Sequence, residues 1–248
     1  MNMVKFATMR LSSGRVLSKI SIYFLCLFSV ATYAAGITFI GDTRLIVNAA
    51  EQRKSVKVRN DTDYPFLLRS FIEDAESNER PRFYVTPELT RLEPGRSLEL
   101  MTIRLSSEFP QDRESLCYIK GFFLPAMGTE KISGSVKLSY LIGIKLFYRP
   151  KGLEQFNAVQ DRAEELKFQK TERGILIKNP TPYHLTFSQL VINGVKVDFE
   201  KHTELKRMIA PFAETEFLDV ARENVKTSIS WSLIDDFGNS TDSYHVDL

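Results

Sequence analysis

Histidine, cysteine and clustered carboxylates are the side chains that most often carry chemistry near neutral pH. This 248-residue chain has three histidines, His184, His202 and His245, and two cysteines, Cys26 and Cys117. The histidines lie far apart, and none belongs to an HExxH pair. The sequence has no GxSxG elbow, CxxC pair, Walker loop or GxGxxG run. Asp235-Asp236 is an acidic pair in a turn, which suits a cation or, more commonly, solvated turn residues or a single structural ion pair. The residues therefore point away from an enzyme, and no metal or cofactor is expected. One cation remains to be explained. In SYLIGIKLFYRP (139–150), Lys145 interrupts the most strand-like run of the chain, which then stops at Arg149-Pro150. A cation there could meet an anion, although an ordinary core strand with a solvated lysine would read the same way.

The elements around these residues read as short strands. Residues 55–59 (SVKVR) alternate strictly, as a half-buried strand does, and Asn60-Asp61 ends them. Strands are expected at 66–72, 98–105, 115–124 and 136–148, with a Pro94-Gly95 turn before the second of them. In 136–148, Val136, Leu138, Tyr140, Ile142 and Ile144 fall on one face, while Lys137, Ser139, Leu141 and Lys145 fall on the other. Arg149-Pro150-Lys151-Gly152 breaks the pattern and reads as a hinge between domains. Further strands are expected at 174–178, 184–192, 195–199, 228–234 and 244–248. Asn193-Gly194 marks a hairpin, because both residues tolerate positive φ. No stretch carries a capped helical stripe, so helices should be few and short. The pattern predicts an all-β protein of two domains, each the size of an immunoglobulin-like sandwich, at 35–150 and 151–248.

Residues 1–34 belong to neither domain. Four cations without an acid precede an apolar run at 20–30, and small residues follow at 31–34. This is the pattern of a secretory signal peptide cleaved after Ala34. The run is about half the roughly 20 residues a membrane-spanning helix needs, so no membrane insertion is expected. Without residues 1–34, 29 cations face 31 acids, a net charge of −2 with no basic block. That gives no electrostatic footprint for nucleic acid. Cys117 is left without a disulfide partner, and its place in an apolar strand reads as an inert buried thiol. Two glycosylation-type matches, at Asn60 and Asn239, read as coincidence.

Several of these motifs resemble a known family. GIKLFYRP (143–150), PQDRESLCY (110–118), NPTPYHLTF (179–187), MIAPF (208–212), DDFG (235–238) and GDTRLIV (41–47) are similar, in order, to segments of PapD-like periplasmic chaperones of the chaperone–usher pilus pathway. They span nearly all of the chain beyond residue 34. The resemblance implies two immunoglobulin-like β-sandwich domains in a boomerang arrangement with a cleft between them. It implies that Arg44 and Lys145 bind the C-terminal carboxylate of a pilus or fimbrial subunit. It also implies that the strand leading into Lys145 completes the subunit's unfinished sandwich, with Val136, Leu138, Tyr140 and Ile142 as the donor side chains. Tyr140 departs from the aliphatic residue expected at that place. Glu114, Arg149 and Asp236 match an ion-pair network that fixes the interdomain angle. The loop after Phe123 is short, which resembles the short-loop subfamily. The implied partners are pilus subunits and an outer-membrane usher, the implied compartment is the periplasm, and self-association of the free protein is left open. The other reading is a secreted structural or adhesive β-sandwich protein of the pilus itself. A subunit of that kind would be shorter and single-domain.

Overall fold

The computed structural model describes residues 36–41, 43–75, 82–106, 108–126, 138–155, 157–199, 207–218 and 226–248. The first half of this chain folds into two facing sheets. Its strands are β1 (Ile37–Ile40), β2 (Arg44–Asn48), β3 (Arg53–Asn60), β4 (Phe66–Asp74), β5 (Phe83–Thr86), β6 (Leu89–Leu92), β7 (Ser97–Arg104), β8 (Ser115–Pro125) and β9 (Tyr140–Arg149). One sheet has the order β1-β3-β7-β5 and the other β2-β9-β8-β4-β6. Between β1 and β2 the chain passes from one sheet to the other, through Gly41 at φ 95°. β2 then lies parallel to β9, whereas the other pairings are antiparallel.

Period-two alternation places the core. Val56 and Val58 of β3, Phe66 and Leu68 of β4, and Cys117, Ile119 and Phe123 of β8 all point inward and are buried. Alternation fails where the outer face is also covered. At the start of β8, Ser115, Leu116 and Cys117 are buried in succession, and at the end of β9 so are Leu146, Phe147, Tyr148 and Arg149. Side chains of the second half cover those outward positions, including His184 against Phe147.

The second half begins with α1 (Ala158–Arg162) and a 3₁₀ turn (Ala163–Glu165), which bury Ala158, Val159 and Ala163. Then come β10 (Lys167–Lys170), β11 (Gly174–Lys178), β12 (Leu185–Ile192), β13 (Val195–Lys196), β14 (Met208–Ile209), β15 (Glu214–Leu218), β16 (Ser228–Leu233) and β17 (Tyr244–Asp247). They form a β10-β11-β15 sheet and a β13-β12-β16-β17 sheet, to which β14 adds by pairing with β12. A separate apolar core lies between them, with Trp231 donating its indole N–H to the Ala163 carbonyl at 3.0 Å. At the β12–β13 hairpin Asn193 and Gly194 have φ values of 52° and 78°, as a two-residue loop of that type requires.

The two sandwiches share one turn motif. Asn60-Asp-Thr-Asp-Tyr64 and Asn179-Pro-Thr-Pro-Tyr183 each follow a core strand. In both, the asparagine side chain donates to the tyrosine carbonyl, at 2.9 and 2.8 Å, and its Oδ1 accepts from the threonine N–H, at 3.0 Å in each. Both asparagines are fully buried, so Asn60 serves the turn and not a glycan.

Three expectations need correction. Among the described residues the strand expected from 136 begins at Tyr140; Leu138 and Ser139 precede it, and Val136 lies outside the described residues. The strand expected at 195–199 is only Val195–Lys196, because Val197 turns into the core and Phe199 stacks on Phe187. Strands β5, β6, β10 and β15 were not expected at all.

Candidate functional site at the junction of the two sandwiches

The register of β2 against β9 brings two distant cations together. Arg44 and Lys145 are direct partners in the parallel ladder, 101 positions apart in sequence, and both project on the outward face of their sheet. Arg44 is only 6% exposed. Its Nη1 donates to the Ile234 carbonyl at 3.2 Å, and its guanidinium lies over the Phe147 ring, 5.5 Å from the centroid. Its Nε is buried without a hydrogen-bond partner among the described residues. The Lys145 ammonium donates to the Thr186 hydroxyl at 3.4 Å. Neither cation has a carboxylate within ion-pair distance among the described residues. Burial lowers the Lys145 pKa to about 8, and the charges of Arg44 and Arg207 push it the same way. Burial also lowers the Arg44 pKa, while Glu114, Asp236 and Asp235 oppose that shift.

Beside this pair lies a closed ion-pair network. Arg149 Nε donates to Glu114 Oε1 at 2.9 Å, and Arg149 Nη1 and Nη2 form a two-pronged pair with Asp236 at 2.7 and 2.6 Å. The second oxygen of Glu114 accepts from the His184 backbone N–H at 2.9 Å and from His184 Nδ1 at 3.0 Å. Burial pushes the Glu114 carboxyl up, but His184 and Arg149 outweigh it and hold the group below the usual carboxylate range. Burial acts to lower the Arg149 pKa, and Asp236 with Glu114 reverses this and raises it. The acidic pair is thereby divided in role. Asp236 serves Arg149, and Asp235 accepts from the Phe237 and Asn239 N–H groups at 2.9 and 2.7 Å to close the turn. That turn packs tightly on the first sandwich. Gly238 sits at φ 88°, and a Cβ there would lie 2.3 Å from Thr43 Oγ1.

The remaining predicted residues are spread along β9. Leu138 is 57% exposed. Tyr140 and Ile142 are half-buried and pack against their own sandwich's core, Tyr140 lying 6.0 Å from the Phe66 ring. Thus Arg44 meets Lys145, and Glu114, Arg149 and Asp236 meet one another, while Leu138 stands apart from Tyr140 and Ile142. His184 and Thr186 complete these two groups. His184 stood out in the sequence only as an isolated histidine, and Thr186 carried no signal. Among the described residues no cluster of His, Cys, Asp and Glu could hold a metal ion, and no helix is long and apolar enough to cross a membrane.

Comparison with known proteins gives this arrangement a family. Residues 38–154 match the family described as pili and flagellar-assembly chaperone, PapD N-terminal domain, and residues 161–245 match pili assembly chaperone PapD, C-terminal domain. The chain belongs to the PapD-like pilus-assembly chaperones. It is 32% identical to chaperone protein AfaB of Escherichia coli over 202 residues, covering 76% of this chain and 78% of that one. It is 31% identical to chaperone protein FimB/FhaD of Bordetella pertussis, covering 87% and 90%. The crystal structure of the E. coli chaperone DraB superposes with a TM-score of 0.71 at 31% identity, over 86% of this chain and 98% of that one. The SafB chaperone bound to the Salmonella enterica SafA pilin gives 0.74 at 26% identity, over 88% and 99%. This PapD-like chaperone is therefore a fimbrial chaperone with two β-sandwich domains, and its family is non-enzymatic. A structural or adhesive pilus component is not favoured. Fimbrial chaperones of this pathway are periplasmic.

Proposed function

We propose that this chaperone captures a fimbrial subunit by lending it β9 and the residues before it, with the subunit's C-terminal carboxylate seated on Arg44 and Lys145. The observation that carries the reading is the pair itself: two cations side by side in one ladder, partly desolvated, neither with a carboxylate partner among the described residues. A chain-end carboxylate is ionised at neutral pH and accepts charge-assisted hydrogen bonds from both. Seating it there sets the register of the subunit's strand along β9, and a slip of one residue would turn every side chain to the wrong face. Val136, Leu138 and Tyr140 would fill the subunit's groove. Tyr140 and Ile142 are less available than Leu138, because both pack against their own core. Each apolar side chain buried in the groove contributes roughly 1.5–3 kcal/mol, so three of them and the ladder can hold a subunit without ATP. The 35–150 sandwich supplies the donor strand, and the 151–248 sandwich is held to it by the Glu114–Arg149–Asp236 network. The chain reaches the periplasm through a signal peptide cleaved after Ala34 and hands its cargo to an outer-membrane usher. The pilin held by SafB is a precedent for the kind of partner.

Co-expression with a fimbrial subunit and recovery of the complex from the periplasm tests this. Lys145→Ala and Arg44→Ala should each abolish recovery with the fold intact. Recovery undiminished in the double variant would refute the anchoring role.

A further inference from the structure

The two cations of the junction are the first two members of a longer row. On the first sandwich the ladder runs from Arg44 through Lys145 to Tyr118, which opposes Lys145 across β9 and β8. Directly opposed residues share a face of the sheet, so Tyr118 projects the same way as the cations. The second sandwich presents a matching row. The Ile234 N–H donates to the Thr186 carbonyl at 2.8 Å, and Thr186 pairs across the ladder with Met208 of β14. The two rows meet in order: Arg44 donates to the Ile234 carbonyl, and Lys145 to the Thr186 hydroxyl. The third position stays open. Tyr118 and Met208 border one cavity of about 580 Å³ between the sandwiches.

Leu116, Ile209 and Ala210 make the cavity largely apolar, and His184 lines it as a buried polar side chain, 4% exposed. Its Nδ1 lies 3.0 Å from the Glu114 carboxylate, which is held ionised. In the neutral imidazole the proton therefore sits on Nδ1, and Nε2 is left as an acceptor. Nε2 makes no hydrogen bond among the described residues.

We propose that this third position is a side-chain subsite, which takes the side chain of the subunit's last residue and favours an aromatic ring that carries a donor, tyrosine above all. This rests on the reading of Arg44 and Lys145 as the carboxylate seat. Neighbouring strands lie about 4.8 Å apart, so the cavity begins one strand beyond Lys145, within reach of the side chain on the anchored residue. An apolar cavity at a domain junction receives a ring, and an acceptor left without a donor asks that ring for an O–H. The chaperone thus selects among subunits by their final side chain as well as holding their chain end.

N-acetyl-Thr-Tyr, N-acetyl-Thr-Phe and N-acetyl-Thr-Ala with free carboxylates, and N-acetyl-Thr-Ala amide, test this when titrated by NMR into the purified chaperone at pH 7. The parent should bind the alanine acid and not its amide. The phenylalanine end should bind about five- to tenfold tighter than alanine, and the tyrosine end about threefold tighter again. Tyrosine should move the His184 Nε2 resonance as a new hydrogen bond does, and phenylalanine should not. Ala75→Leu and Ala210→Leu each enlarge an exposed alanine that lines the cavity. Both should bring the three acids within about twofold of one another, while the preference for acid over amide stays. Three acids of equal affinity in the parent, with acid still preferred to amide, overturn the subsite and leave the anchor standing. A tyrosine preference that survives both leucine variants also overturns it, because the side chain is then read elsewhere. Phenylalanine binding as tightly as tyrosine overturns the role of His184. A parent that treats the alanine acid and amide alike overturns both the anchor and the subsite.

Discussion

Burial, with the charges of Arg44 and Arg207 acting the same way, lowers the Lys145 pKa from 10.5 to about 8. Between those values the unfolded chain holds more protons than the folded one, so the folded state gains stability as pH rises through that window, and the full cost of the charge is present below about 8. Lys145→Met should therefore raise the melting temperature at pH 7 by about 2–5 °C, with the gain fading toward pH 10, while subunit capture is lost. The sign reverses for capture. A bound carboxylate raises the Lys145 pKa, so the complex holds more protons than the free chaperone above pH 8, and affinity should fall as pH rises. Dissociation constants measured at pH 7 and 9 should differ by about tenfold, and Lys145→Arg should flatten the dependence. An equally steep profile in Lys145→Arg would place the titrating group elsewhere.

At the scale of elements, β9 changes character along its length. Tyr140 and Ile142 alternate with exposed Leu141 and Gly143, and then Leu146 to Arg149 are buried on both faces. The change falls where the second sandwich begins to cover the sheet, and Lys145 lies at that boundary. The alternation was legible in the sequence because one face of the sheet is wet. The parallel pairing that sets Arg44 against Lys145 was not legible from periodicity, since nothing local in RLIVN names its neighbour; only the family resemblance tied the two together. Strands β10 (KFQK) and β15 (ETEFL) were missed for a related reason. They carry charges along a three-stranded sheet and lack the clean alternation that betrays a strand. His184 was visible as a residue but not as a partner of Glu114, 70 positions away. The DDFG turn was expected as a turn, but its contact with Thr43 was not. Gly238→Ala should cost about 1–3 kcal/mol, because it forces both a disfavoured φ and a collision across the junction. Chemical denaturation would measure this, and a loss below about 0.5 kcal/mol would mean that the turn gives way freely.

At the scale of the whole molecule, the two apolar cores are separate, and the polar junction between them decides whether they behave as one body. Arg149 is 3% exposed and is the hub of that junction. Arg149→Ala leaves the Glu114 and Asp236 carboxylates buried without their cation, so a loss of about 3–5 kcal/mol is expected. Calorimetry should then resolve two transitions where the parent shows one. Arg149→Lys should recover only part of the loss, because an ammonium cannot reproduce the two-pronged pair with Asp236. A single unshifted transition in Arg149→Ala would mean that the network contributes little. The most direct test of the account is a crystal structure of the chaperone with its fimbrial subunit. The distances from the subunit's terminal carboxylate to Arg44 and Lys145 should be about 2.7–3.2 Å, with β9 paired into the subunit's sheet. A carboxylate seated elsewhere, with β9 unpaired to the subunit, would contradict it.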